Sequence, residues 1–223
     1  MAMELWGRPS SARTQKVLLA LAELKLDFEF TLASATMGSG GAVAKGNAAY
    51  GVVDTPEYRT MNPNGTVPTI RDGGFVLWES NAIVQYLAMT YDPALFYGND
   101  AQLFASASRW MMWENNELIP PMHTYVRHTI RLPEDQRDKG IADESREKLA
   151  RAWEIIDGQL GKTSHIAGER WSLGDVPLTI RVHRWALLNE GHIEHANIAR
   201  FYDRVRERAS FSAIADPQMH LAG

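Results

Sequence analysis

The chain of 223 residues contains no cysteine. This absence excludes disulfide bonds, thiolate metal sites, CxxC redox chemistry and a cysteine nucleophile. Positive charge is sparse as well, because 23 lysines and arginines stand against 27 aspartates and glutamates and form no run. With a net charge of −4, nothing in the sequence predicts binding to the phosphate backbone of a nucleic acid.

Long apolar segments are also missing. The most apolar stretch, VLLALAELKL, is interrupted by Glu23 and Lys25 and is too short to cross a bilayer. The first five residues lack the basic region and the cleavage site of a signal peptide. We therefore expect a cytoplasmic protein that has no membrane partner. Because 45% of its residues are hydrophobic, the chain can bury one large core or two smaller ones.

The hydrophobic pattern of the first half is that of mixed strands and helices. Residues 3–6 and 27–32 alternate as strands do, and the segment from Ser11 has the spacing of an amphipathic helix. A right-handed crossover would make these two strands parallel. A short helix with Asp54 in its capping box is predicted next, followed by a hairpin and a helix that Ser80 caps.

The second half has a helical period throughout. Helices are predicted at 101–119, roughly 134–160, 175–190 and 195–209. We expect an α/β domain at 1–90, a linker at 91–100 and an all-helical domain at 101–223.

Pro68 lies in an unusual place for a strand residue. It stands within NGTVPTI, residues 64–70, yet proline has no N–H for a ladder and is confined to strand edges, first residues and bulges. A trans proline at the first residue of the strand would fit. A cis proline that leaves the backbone of Val67 available to a ligand would also fit.

Three segments resemble the glutathione S-transferase superfamily. Residues 62–87, NPNGTVPTIRDGGFVLWESNAIVQYL, closely match its pattern N-P-x-G-x-V-P…L-x-E-S-x-A-I-x-x-Y-L. WSLGDVPL, residues 171–178, resembles the capping box of its helical domain, and LWGRPSSARTQKVLLALAEL resembles bacterial members that use a serine near the first helix. The resemblance covers nearly the whole chain. It implies a thioredoxin-like N-terminal domain, a C-terminal helical-bundle domain and a cis Pro68.

The resemblance also implies how glutathione binds. The backbone of Val67, beside Pro68, would pair with the cysteinyl backbone of the peptide. Ser80 and the nearby helix N–H groups would hold the γ-glutamyl carboxylate, and Glu79 would accept from the α-ammonium. Thr66 replaces the arginine or glutamine that often precedes this valine. By spacing alone, Ser80 would be only a helix cap.

The thiol of glutathione must become a thiolate before it attacks an electrophile. Position 6 is Trp6 and no tyrosine is near, so the resemblance favours a serine-type enzyme. Matching GRPSSAR to G-R-x-x-S-x-N-V places the catalytic hydroxyl at Ser11, with Ser10 as the alternative. Both serines could instead simply cap the helix. Arg13 replaces a common asparagine and either strengthens thiolate stabilisation or points into solvent.

A pocket for the electrophile is expected beneath the helix at 108–116, with Trp113, Met122 and Tyr125 as lining candidates. Most of the other apolar side chains of that helix should be core. The loop at 33–51 is interpreted either as a lid or as a plain surface insertion. No metal is expected, because HIEH at 192–195 has weak ligand spacing.

Together these features predict a glutathione transferase that acts on a small hydrophobic electrophile, with glutathione as co-substrate. The resemblance further implies a homodimer. Glutathione-dependent reduction of disulfides or peroxides, or ether cleavage, is an alternative within the same fold. A non-catalytic ligand-binding module is another, although the survival of Ser11, Val67-Pro68, Glu79 and Ser80 favours an enzyme.

Overall fold

The computed structural model describes residues 2–34 and 51–217, so most of the loop at 33–51 lies outside the described residues. A four-stranded sheet has the order β2–β1–β3–β4. Its strands are β1 (Met3–Gly7), β2 (Phe28–Leu32), β3 (Thr69–Asp72) and β4 (Phe75–Trp78). β1 runs parallel to β2, and β3 and β4 form an antiparallel hairpin. The predicted parallel pair and hairpin are confirmed.

Four helices accompany the sheet: α1 (Ala12–Leu24), α2 (Pro56–Met61), α3 (Ser80–Tyr91) and α4 (Pro93–Tyr97). α1 and α3 pack together, and their buried residues share one core with Leu5 and Ile70. The cap of α2 is Thr55, not the predicted Asp54, because the Thr55 side chain accepts from Tyr58 N–H at 3.2 Å.

The segment at 91–100 is more ordered than its linker-like composition indicates. It contains α4, whose Phe96 is fully buried, and the Phe96 carbonyl accepts from Leu173 N–H at 3.2 Å. This connection therefore contacts the segment around Leu173 in the helical half of the chain.

The described residues of the second half form the helices α5 (Ala101–Trp113), α6 (Ile119–Val126), α7 (Lys139–Leu160), α8 (Asp175–Leu188) and α9 (Ala196–Arg206). The helix predicted to end at 119 continues instead to residue 131, through π-helical turns at Glu114–Leu118 and Arg127–Arg131. Its two prolines, at 120 and 121, lie inside this continuous helix directly after the first π-helical turn, where their missing N–H groups interrupt the regular i→i−4 hydrogen bonds.

Two further details of the helices bear on the sequence predictions. Asp175 Oδ2 accepts from both the N–H and the hydroxyl of Ser172 at 2.8 Å, as expected of the capping motif before α8. In α5, Met111 is core but Met112 is 64% exposed. None of the helices in the described ranges is both long and apolar enough to cross a membrane.

Candidate functional site

The peptide bond between Val67 and Pro68 is cis, as the resemblance implied. Pro68 precedes β3 rather than lying within it, because the strand begins at Thr69. The carbonyl of Thr66 accepts from Tyr58 Oη at 2.6 Å and from Asn62 Nδ2 at 2.9 Å. In the described part of the chain, no group accepts a hydrogen bond from Val67 N–H. The segment before β3 is therefore anchored on one side and retains an available donor.

Glu79 and Ser80 lie beside this segment because of the register of the hairpin. Thr69 pairs with Trp78, so the residues that precede β3 and follow β4 meet at the same end of the sheet. Glu79, not the predicted Ser80, is the N-cap of α3, and Ser80 is its first helical residue. The buried Ser80 still stands at the positive end of the helix, where N–H groups favour an anion.

The backbone of Glu79 is unusual. Its φ of 74° is a value that residues other than glycine rarely adopt. Such conformations concentrate at ligand sites, where the surrounding structure holds them in place. The exposed carboxylate of Glu79 is thus presented at a defined position next to the start of α3.

The turn after β1 brings two serines to the same end of the sheet. Trp6 pairs with Thr69, so the turn that follows β1 leaves the sheet beside Pro68. Ser11 is the N-cap of α1, and its Oγ accepts from Thr14 N–H at 3.4 Å, which leaves the Ser11 hydroxyl proton available to donate. The Oγ of Ser10 is buried and has no hydrogen-bond partner among the described residues.

A cavity of about 180 Å³ lies between this turn, α6 and α8. Both Ser10 and Ser11 line it. Its apolar lining consists of Ala12, Ile119, Met122, Val126, Ile130 and Leu188. Its charged or titratable lining consists of Arg8, Arg13, Arg131, Arg181, Arg184 and His123. Among the described residues, no aspartate or glutamate lines the cavity.

Of the three side chains predicted to line the electrophile pocket, the structure brings only Met122 to this cavity. Trp113 lines a separate and much smaller cavity next to Leu118. Tyr125 packs against Trp185 instead, with ring centroids 5.8 Å apart. Tyr125 lies at the margin of the α6 face formed by Ile119, Met122 and Val126, on the side that contacts Trp185.

A buried ionic cluster lies behind the cavity and was not predicted from the sequence. Glu114 Oε2 accepts from Lys16 Nζ at 2.7 Å, and Glu114 Oε1 accepts from Arg181 Nε at 2.5 Å. Lys16 also donates to Asn81 Oδ1 at 3.0 Å. Lys16 is 0% and Glu114 3% exposed. The sequence did contain one signal of this cluster: Lys16 is a charged residue on the buried face of an amphipathic helix.

Burial opposes both charges of the Lys16–Glu114 pair. It raises the pKa of Glu114, but Arg181 and Lys16 outweigh this effect and lower that pKa to about 2. Burial lowers the pKa of Lys16 to about 8, although Glu114 counteracts the shift. The Glu114 carboxylate is therefore paired with both Lys16 and Arg181, and it remains ionised at neutral pH.

Comparison with known proteins identifies the family. The sequence profile of the glutathione S-transferase N-terminal domain matches residues 10–90, and that of the C-terminal domain matches residues 118–209. Glutathione S-transferase GstB of Escherichia coli K12 is 30% identical over 212 residues, which span 94% of this chain and 96% of that protein. The chain belongs to the glutathione S-transferase family.

Other glutathione S-transferases agree. Glutathione S-transferase 4 of Zea mays is 29% identical over 182 residues, covering 80% of this chain and 76% of that protein. The crystal structure of a theta-class glutathione S-transferase from Xanthomonas axonopodis pv. citri, with glutathione bound, superposes with a TM-score of 0.80 and 29% identity. It covers 100% of this chain and 98% of its own. The predicted fold, with its thioredoxin-like and helical parts, and the predicted glutathione transferase class are confirmed.

Proposed function

We propose that this glutathione transferase is a serine-type member in which Ser11 holds the thiol of glutathione as a thiolate. In this proposal the domain at 1–90 binds glutathione. The segment at 91–100 joins it to the helical domain at 101–223, which receives a small, partly hydrophobic electrophile. The protein acts in the cytoplasm as a homodimer, and light scattering at micromolar concentration measures the assembly.

The main support for the proposal is that three segments of the chain lie next to one another at one end of the sheet. Ser11 follows β1, Val67 precedes β3, and Glu79 and Ser80 follow β4. The pairing of Trp6 with Thr69, and of Thr69 with Trp78, makes these positions neighbours. To bind and activate a γ-glutamyl tripeptide thiol, a protein requires four groups: a hydroxyl, an available backbone N–H, a carboxylate and a helix N-terminus.

Each group has one task in the reaction. Val67 N–H binds the cysteinyl carbonyl of glutathione, and the start of α3 at Ser80 binds the γ-glutamyl carboxylate. Glu79 accepts from the α-ammonium. The Ser11 hydroxyl donates to the sulfur, and the positive end of α1 adds to this stabilisation of the anion. Arg13, one residue into α1, contributes positive charge near the sulfur.

The bond changes are those of a nucleophilic displacement or addition. The thiol proton passes to solvent, and the thiolate forms a carbon–sulfur bond with the electrophile. Where a leaving group is present, it departs with the electron pair of its bond to carbon. Met122 and its apolar neighbours in the cavity contact the hydrocarbon part of the electrophile.

The proposal is tested by replacing the hydroxyl. In Ser11→Ala, the rate near neutral pH should fall about 100-fold and partly recover in alkali, because solution chemistry then supplies the thiolate. The ultraviolet absorbance of the bound thiolate against pH should show that its pKa has risen. Glutathione affinity should change little, since Val67, Glu79 and Ser80 remain.

Two matched variants sharpen this test. Ser212→Ala removes an exposed hydroxyl near the other end of the chain and should change neither the titration nor the rate. If Ser10→Ala shifts the titration and Ser11→Ala does not, the role belongs to Ser10. If neither variant moves it, activation by a serine hydroxyl is wrong.

A further inference from the structure

The cavity beside Ser11 has a charge that a pocket for a purely hydrophobic electrophile does not need. We propose that it binds the anionic group, a carboxylate or a sulfonate, of an electrophilic acid, and that Arg184 is the principal residue that contacts this anion. This inference rests on the proposed function, because it takes the cavity as the electrophile site.

The composition of the cavity wall is the first observation. Five arginines line it, and no aspartate or glutamate in the described residues does so. His123 adds no negative charge, and burial lowers its pKa, with Arg131 and Arg127 lowering it further. The whole chain nevertheless has a net charge of −4. The excess of arginine over acidic residues is therefore a feature of the described lining of this cavity and not of the chain as a whole.

Arg184 is the second observation. It is only 9% exposed, yet its described partners are neutral: Nη2 donates to the Ser10 carbonyl, and Nε donates to Gln15 Oε1 at 3.3 Å. Burial lowers the pKa of Arg184 well below its usual range, and Arg181 is the strongest of the nearby cations that lower it further. A buried charge without a counterion is costly, and buried charges are normally paired.

The count of buried charges leads to the same conclusion. Among the described residues, Lys16, Arg181 and Arg184 are buried cations, and Glu114 is a carboxylate that pairs with Lys16 and Arg181. Glu114 already accepts from both Lys16 and Arg181, and it does not contact Arg184. A ligand anion in the cavity would supply the counterion that Arg184 lacks. The planar guanidinium is well suited to a carboxylate, which it can bind through two parallel hydrogen bonds.

The apolar part of the cavity lining defines the rest of the ligand. Ile119, Met122, Val126 and Leu188 are apolar, and Ser11 opens into the same cavity. A molecule with an acidic group at Arg184, a small hydrocarbon body and an electrophilic carbon near Ser11 matches all three parts. The substrate class is thus a small amphipathic acid with a carbon that a thiolate attacks.

A matched pair of substrates tests the charge directly: 4-(chloromethyl)benzoate and 4-(chloromethyl)benzamide. In both, the thiolate forms a carbon–sulfur bond at the methylene group and chloride leaves with the electron pair. We expect kcat/KM for the acid to exceed that for the amide by at least about 10-fold, as for one charge-assisted hydrogen bond. Equal values, or a preference for the amide, would overturn the inference.

The residue is tested by the same ratio in Arg184→Gln, where the shorter glutamine can place its amide nitrogen near the position of Arg184 Nε, beside Gln15 Oε1. The preference for the acid should be largely lost. Poorer folding or weaker thiol activation lowers both rates equally, so neither changes the ratio. Arg146→Gln removes the same charge from the exposed face of α7 and should keep the preference. If Arg184→Gln keeps it as well, Arg184 does not bind the anion.

Two further measurements cover the remaining outcomes. If Arg184→Gln does not fold, the variant to measure is Arg13→Gln, at the exposed start of α1. The inference then fails if Arg13→Gln does not reduce the preference for the acid over the amide. Calorimetric titration with benzoate then separates anion binding from catalysis. If neither chloromethyl substrate reacts but benzoate binds the wild type and not Arg184→Gln, the assignment of the cavity to the electrophile fails and the anion site stands.

The carboxylates of glutathione are the other source of an anion. Benzoate should bind in the presence of saturating glutathione as it does in its absence. If glutathione displaces benzoate, the arginines serve glutathione itself, and the assignment to the second substrate is overturned.

Discussion

The proposed glutathione side of the cleft and the cavity beside it draw on different parts of the chain. The glutathione side uses residues 66–80 and the turn after β1, and its groups are the backbone N–H of Val67, the N-terminus of α3 and the side chains of Ser11 and Glu79. The cavity uses side chains of α1, α6 and α8, and its hydrogen bond between Ser10 and Arg184 joins positions 174 residues apart. Backbone recognition suits a constant co-substrate, whereas side chains on separate helices can be exchanged without changing the sheet.

The two regions also differ in what holds them in place. The glutathione side is positioned by strand register and by hydrogen bonds within one short segment. The cavity wall depends on the buried contact of Glu114 with Lys16 of α1 and Arg181 of α8. Variants on the glutathione side should therefore change the affinity for glutathione, whereas variants of the buried contact should change the free energy of unfolding.

The largest effect is expected from Glu114→Gln. This change leaves Lys16 and Arg181 buried without a counterion, so the free energy of unfolding should fall by about 3–5 kcal/mol. Urea denaturation followed by circular dichroism measures the loss. Glu117→Gln, at an exposed position of the same π-helical turn, should change it by less than about 0.5 kcal/mol. Equal effects would mean that the buried cluster does not hold the two halves together.

Acid should weaken the same contact. The pKa of Glu114 is lowered from 4.5 to about 2 in the folded protein. A depressed carboxyl pKa stabilises the fold above the unfolded value, and this contribution is lost as the pH falls from about 4.5 towards 2. The loss should approach about 3 kcal/mol, at 1.36 kcal/mol for each pKa unit. Denaturation at several pH values should show less acid dependence in Glu114→Gln; the same slope in both proteins would contradict the assignment.

Smaller effects, confined to affinity, are expected on the other side of the cleft. Glu79→Ala and Ser80→Ala should each weaken glutathione binding by about 10- to 150-fold, the value of a charge-assisted hydrogen bond of roughly 1.5–3 kcal/mol. Calorimetric titration measures this. Glu57→Ala, at an exposed position of α2, is the matched control. Unchanged affinity in both site variants would remove the glutathione site from this end of the sheet.

The success of the sequence predictions follows the same division between the two regions. The hairpin, the parallel strand pair and the cis Pro68 were predicted correctly, since each depends on a few neighbouring residues or on one family motif. Errors of one residue arose at the caps of α2 and α3, where Thr55 and Glu79 take the positions predicted for Asp54 and Ser80. Cap positions depend on backbone angles that neighbouring side chains only bias.

The sequence by itself determined the order of the strands and of the helices other than α4 and α6, the family motif at 62–87 and the candidate hydroxyls at Ser10 and Ser11, because periodicity and short motifs are local properties. Only the tertiary structure decided that Arg184 meets the turn after β1, that Glu114 joins α1 to α8, and that Met122 faces the cavity while Tyr125 does not. These contacts depend on how α1, α6 and α8 pack. No local pattern records which side chains of distant helices face one another, and so the charge of the cavity became visible only in the folded chain.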